Sequence, residues 1–194
     1  GNTFCQVCFS TLLSIARRRA GKMICAGCDP NVPIRIEHVV VPKLLSLINH
    51  PPSAKDDVTF GGASCNEGLR RPDTLWIGSD RIVSIEIDEN GGHPDREPSC
   101  EIDKMQGQAS SWYSLLNGVV VPVFYVRFNP DESGCSTSLE DRVKKVASRV
   151  NTLLTMPLNN VDRMRLHVEY HFYHKKCEKH IHAVRELGDS FVVL

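Results

Sequence analysis

The chain carries no excess of charge of either sign: 23 lysines and arginines balance 23 aspartates and glutamates over 194 residues. A nucleic-acid binder is usually basic overall, so this balance lends that class no support, although local charge counts for more than the sum. Long hydrophobic runs are also missing. The longest apolar stretches fall well short of the roughly 20 residues that a membrane span needs, and no secretory signal precedes them. The expectation is a protein with no membrane partner, in a reducing intracellular compartment, with nuclear and cytoplasmic placement left open. There is neither an internal repeat nor a low-complexity tract. With 41% hydrophobic residues there is enough apolar material for one ordinary core plus a small appendage.

Cysteine, by contrast, is plentiful. Eight occur, at positions 5, 8, 25, 28, 65, 100, 135 and 177. Four of them form two Cys-x-x-Cys pairs, Cys5 with Cys8 and Cys25 with Cys28, separated by 16 residues. That spacing suits a tetrahedral Zn²⁺ site, whose four sulfurs close the coordination sphere and hold fold rather than perform chemistry. Residues 1–36 are therefore expected to form a zinc-binding module, ended by Asp29-Pro30 and Pro33, with residues 37–194 as the main domain. Free thiols or disulfides are the alternative. The tail "HFYHKKCEKHIH" offers His174, Cys177 and His180 as a second Zn²⁺ set, with Cys65, Cys100 or Cys135 as a further donor. Its bland alternative is a basic surface built on Lys175, Lys176 and Lys179. His171 alternates with core residues and is expected to face outward. Arg17, Arg18 and Arg19, and Arg70 with Arg71, could meet phosphates, but arginine runs are more often solvated faces.

Periodicity gives the main domain a helix over 39–49 and a short strand at "DDVTF". Two strands, "TLWIG" and "RIVSIEIDE", join at Ser79-Asp80. A helix over 100–116 carries Ile102, Met105, Ala109, Trp112, Tyr113 and Leu116 on its apolar side. The apolar run from Val123 reads as a strand covered on both faces. Thr137 and Glu140 make a capping box for a helix to about residue 155, with Val143, Val146, Val150 and Leu154 as its stripe. Leu166, Val168, Tyr170 and Phe172 line one face of the last clear strand, and "FVVL" is a candidate edge strand. Trp76 and Trp112 sit at core spacing. The order α-β-β-β-α-β-α-β implies an α/β sandwich with a mixed central sheet.

The strand "RIVSIEIDE" raises the chemical question. Side chains alternate along a strand, so Glu86 and Asp88 share a face, and the hairpin brings Asp73 beside Glu86. Three carboxylates on one face repel one another and lose hydration. A divalent cation would remove that conflict, and Mg²⁺ favours a few carboxylates completed by water and phosphate oxygens. The alternative is a solvated acidic loop, since residues 80–104 hold eight acids against three bases.

Pro72-Asp73, a hairpin, then Glu86-Ile87-Asp88 resembles the PD-(D/E)XK nuclease motif. The wider string "RPDTLWIGSDRIVSIEIDENGGH", followed by a helix and "VFYVRFNPD", is similar to the very-short-patch-repair branch of that superfamily over roughly residues 37–173. The resemblance implies a restriction-endonuclease-like three-layer sandwich with a mixed central sheet. It also implies hydrolysis of phosphodiester bonds in DNA, with Mg²⁺ (or Mn²⁺) held by Asp73 and Glu86 and the carbonyl of Ile87 assisting. Asp88 stands where the strict motif has lysine, and an acid there could bind metal or orient water. Lys104 on the following helix is the substitute positive charge, with Gln106 as a further polar candidate. His93 is a candidate base or leaving-group contact, or else a loop histidine, and Glu37 a candidate additional acid. The partner implied is nucleic acid, DNA ahead of RNA. A non-catalytic nucleic-acid- or protein-binding module and an RNA-cleaving version of the same site are the competing readings.

Overall fold

The computed structural model describes residues 4, 6–7, 18–24, 29, 36–53, 72–89, 98–131, 136–173, 178–186 and 190–193. The chain divides into two compact units, Gly1–Val39 and Val40–Leu194. In the first unit, Gln6 N–H donates to the Met23 carbonyl at 2.9 Å, and Lys22 lies 3.6 Å from the buried carboxylate of Asp29. Arg18 and Arg19 are exposed there. The four paired cysteines and the "DDVTF" segment lie outside the described residues.

Helix α1, Ile36–Leu47, spans the boundary between the units and begins earlier than periodicity suggests, with Pro42 inside it. The remaining elements are β1 (Thr74–Ile77), β2 (Ile82–Ile87), α2 (Pro98–Leu115), β3 (Val123–Phe128), α3 (Leu139–Thr155), β4 (Leu166–His171), α4 (Glu178–Glu186) and β5 (Phe191–Val193). The five strands form one mixed sheet in the order β1-β2-β3-β4-β5, with β1 antiparallel to β2 and the rest parallel. The fold is thus α/β, a mixed sheet flanked by helices.

Every residue of β2 and β3 is buried, because both faces of the sheet are covered. On one face Met105, Ala109 and Trp112 of α2 and Val184 of α4 pack with Leu75, Ile82, Tyr125 and Val168. Tyr125 OH donates to the Met105 carbonyl at 2.7 Å, fixing α2 to the middle strand. On the other face lie Val143, Val146, Ala147, Val150 and Leu153 of α3, and Arg149 reaches Glu169 of β4. Since β2, β3 and β4 are successive parallel neighbours, crossing on opposite faces gives the α2 and α3 connections opposite hands. One of them departs from the usual right-handed rule.

Local chemistry shifts several element ends. The N-cap of α3 is Ser138 rather than Thr137: its Oγ accepts the Asp141 N–H at 3.1 Å, while Glu140 pairs outward with Lys144. Strand β4 stops at His171 because Phe172 takes a left-handed backbone, φ 62°. His171 stands on the face opposite Tyr170 and keeps 22% side-chain exposure, with its Nε2 3.0 Å from Glu169 Oε2. A short helix, α4, occupies part of the tail that the sequence offered as metal ligands.

Arg81, next to the β1–β2 turn, donates from Nη1 to the carbonyls of Leu153 and Met156 at 2.9 and 2.8 Å, closing the C-terminus of α3. The outer side of β1 is lined by the segment after α1. Ser53 N–H donates to the Leu75 carbonyl at 2.8 Å, Ile77 N–H donates to Ser53 Oγ at 2.9 Å, and Trp76 Nε1 donates to the His50 carbonyl at 3.0 Å.

Candidate active site

The register Thr74↔Ile85 carries Asp73 opposite Glu86 across the hairpin. Asp73 Oδ2 accepts the Ile87 N–H at 2.6 Å, which anchors the aspartate at the end of β2. Glu86 is buried at 7% exposure. Helix α2 then delivers side chains to it from one face: Lys104 Nζ donates to Glu86 Oε2 at 2.6 Å and Gln108 Nε2 to Oε1 at 3.3 Å. Positions four apart on a helix share a face, so these two residues arrive together, while Gln106, between them, is exposed.

Asp88 has a different task. Both its oxygens are engaged by Arg127 of β3, Nε to Oδ2 at 2.7 Å and Nη2 to Oδ1 at 2.9 Å, and Tyr173 OH donates to Oδ2 as well. Arg127 Nη2 also donates to Glu101 Oε2 at 2.9 Å, so two carboxylates share one guanidinium. Burial raises the Asp88 carboxyl, but the charge and hydrogen bonds of Arg127 outweigh it and hold Asp88 below the usual carboxylate range. Glu101 is lowered in the same way, burial again opposing and Arg127 prevailing. For Lys104 burial favours the neutral amine, yet the Glu86 charge wins and raises it. Burial, followed by the Asp88 charge, pushes the Tyr173 phenol well up, and burial pushes Tyr170 up to about 12. These phenols are donors at neutral pH, not bases.

The site is therefore a row of alternating charges on the α2 face. Asp73 and Glu86 belong to it with Lys104, and Arg127 with Asp88, Glu101 and Tyr173 forms the neighbouring cluster. Among the described residues, no three His, Cys, Asp or Glu side chains stand as a metal-binding group. What remains for a cation is a pair of hard-oxygen ligands, Asp73 and Glu86. Mg²⁺ is commonly held by one or two carboxylates with waters and phosphate oxygens, so this donor set fits it. One further observation agrees: Gln108 Oε1, on a fully buried side chain whose Nε2 contacts Glu86, accepts no hydrogen bond. An ion bringing its own waters beside Glu86 would supply the missing donor.

Glu37 lies in the first turn of α1, within the first unit, 3.8 Å from His38. His93, His174 and Cys177 lie outside the described residues, and His180 falls on the backbone of α4. Cys100 is disulfide-bonded, with a partner outside the described residues, so its sulfur is not a free thiolate for a second Zn²⁺. Sequence reading passed over Gln108, Arg127, Glu101 and Tyr173. The signals were there: Glu101, Lys104 and Gln108 recur at helical spacing, and Arg127 is a lone charge inside an apolar strand.

No protein-family model, curated protein or solved structure matches the chain. Among the described residues, no helix is long and apolar enough to cross a membrane.

Proposed function

We propose that the chain is a Mg²⁺- or Mn²⁺-dependent endonuclease of the PD-(D/E)XK kind, cutting phosphodiester bonds in DNA on a restriction-endonuclease-like sandwich, with Zn²⁺ bracing its N-terminal module. One observation carries this reading: cross-strand Asp73 and Glu86 meet a lysine delivered by the next helix, Lys104 at 2.6 Å from Glu86. The motif's missing lysine is thus replaced in space by one from another element.

In this reading Asp73 and Glu86 hold the cation, and Asp88 does not. Bound there, a divalent ion would supply a water of lowered pKa and polarise the phosphate. Asp73 is oriented by the Ile87 N–H and Glu86 by Gln108, so both carboxylates are fixed before substrate arrives. Lys104 is the positive charge nearest to them and suits an incoming phosphate oxygen. Arg127, clamped by Asp88 and Glu101, is spent on architecture. That same fact favours a second reading, a nucleic-acid- or protein-binding module that keeps the fold without turnover, because the third carboxylate is already neutralised.

The test offers supercoiled plasmid, labelled single-stranded DNA and labelled RNA to wild type and Asp73→Ala, in Mg²⁺ and in Mn²⁺, with zinc content measured in both proteins. Cleavage of the DNA substrates by wild type, lost in a mutant that keeps its zinc, is the expected result. Cleavage of RNA alone would transfer the same site to RNA. Salt-sensitive binding without turnover would leave the binding module standing in its place.

A further inference from the structure

Resting on the metal-site reading above, we propose that Lys104 is the resident counter-ion of Glu86 and an internal competitor of the divalent cation: the ion enters only as the ammonium leaves. The argument starts from Glu86. Its Oε2 accepts from Lys104 at 2.6 Å and its Oε1 from Gln108 at 3.3 Å, and the residue is 7% exposed, so each carboxylate oxygen already has a donor in a largely buried place. A Mg²⁺ ligand bond of about 2.0–2.1 Å to Oε2 would set the ion beside an ammonium that lies 2.6 Å from the same oxygen. An ammonium and a divalent ion on one carboxylate also repel each other strongly where water is scarce.

Gln108 is neutral and has no such conflict, so it stays. Lys104 can move. Its side chain retains 25% exposure, and a flexible four-carbon stem lets the ammonium swing without disturbing α2. Glu101, one turn back on the same helix and bound to Arg127 through Oε2 at 2.9 Å, also acts on the ammonium with its negative charge. The site then has two arrangements of one charge balance. In one, Lys104 neutralises Glu86. In the other, the divalent cation takes Glu86 and Lys104 is released towards the solvent side, where a phosphate would come. The resting protein keeps its buried carboxylate paired, and metal affinity is set by how firmly Lys104 holds on.

The experiment is a Mn²⁺ titration by calorimetry, with Mn²⁺-dependent thermal shifts in parallel, on the full chain with zinc content verified. The variants are Lys104→Met, Lys104→Arg and Glu86→Gln. Lys104→Met is expected to tighten Mn²⁺ binding by about tenfold, the equivalent of one charge-assisted hydrogen bond no longer competing. Lys104→Arg, which keeps the charge and offers a two-pronged grip, is expected to weaken it. Glu86→Gln should abolish it. If Lys104→Met is unstable alone, its melting temperature should rise more steeply with Mn²⁺ than that of wild type. Mn²⁺ bound equally by wild type, Lys104→Met and Lys104→Arg would overturn the competition and leave the metal site in place. Absence of Mn²⁺ binding in both wild type and Lys104→Met would overturn the metal site and the competition together.

Discussion

If Asp88 anchors Arg127 rather than a metal, a double-mutant cycle on the two will separate the roles. Arg127→Met removes three charge-assisted hydrogen bonds, at 2.7 and 2.9 Å to Asp88 and 2.9 Å to Glu101. It leaves two carboxylates with side-chain exposures of only 11% and 10%. Breaking a buried pair from one side costs about 3–5 kcal/mol, so about 4 kcal/mol is expected here. For a chain of this length that is a fall of roughly 8–16 °C in melting temperature. Asp88→Asn keeps the shape and the Tyr173 contact but loses the charge, and about 2 kcal/mol is expected. The double mutant should cost less than the sum, with a coupling of about 1–2 kcal/mol. Urea unfolding supplies the energies, and Mn²⁺ titration of the folded Asp88→Asn protein supplies the second readout. The reasoning is refuted if Asp88→Asn leaves stability unchanged while removing Mn²⁺ binding, because that is the behaviour of a ligand and not of an anchor.

Two other outcomes follow from the same charges. Asp88, Glu101 and Glu169 all lie below their ordinary values; burial opposes this in each, and Arg127 prevails for the first two and His171 with Arg149 for the third. Groups depressed by folding stabilise the fold in full above their unfolded values, near pH 4, and lose that contribution as pH falls through the folded ones. Urea midpoints measured from pH 6 to pH 2 should therefore drop below about pH 4, and the drop should be shallower in Arg127→Met. Arg81→Ala removes two hydrogen bonds to the end of α3 and should cost about 1–2 kcal/mol. Amide exchange should quicken in the last turn of α3 while α2 keeps its protection; equal quickening in both helices would contradict the capping role.

Much of the sheet was legible because its strands are apolar runs broken by clear turns. The hairpin at Ser79-Asp80, the Val123 start of β3 and the α2 stripe of Met105, Ala109 and Trp112 appear where periodicity put them. The pairing of Asp73 with Glu86 was legible too, because side-chain alternation plus a tight turn fixes register. The fate of Asp88 was not. Its partner Arg127 is 39 residues away on a neighbouring strand, and nothing local to "EIDEN" reveals a guanidinium across the sheet. For His171, alternation gave the side but not the neighbour: its Nε2 lies 3.0 Å from Glu169, two residues back on the same strand. Helix α4 was masked by its own histidines, which drew attention as ligands although Ile181 and Val184 stand three apart, as one helix face requires.

The way the sheet ends has a bearing on how copies of this protein could meet. Exposed strand edges are templates for another chain, and proteins blunt them by shortening or covering them. Here the β1 edge has the His50–Ser53 segment hydrogen-bonded along it, and β5 at the opposite edge is only three residues long. Among the described residues, growth of the sheet from one molecule into the next is thereby disfavoured at both ends. Among the described residues, neither sheet edge presents a long open strand to a second copy.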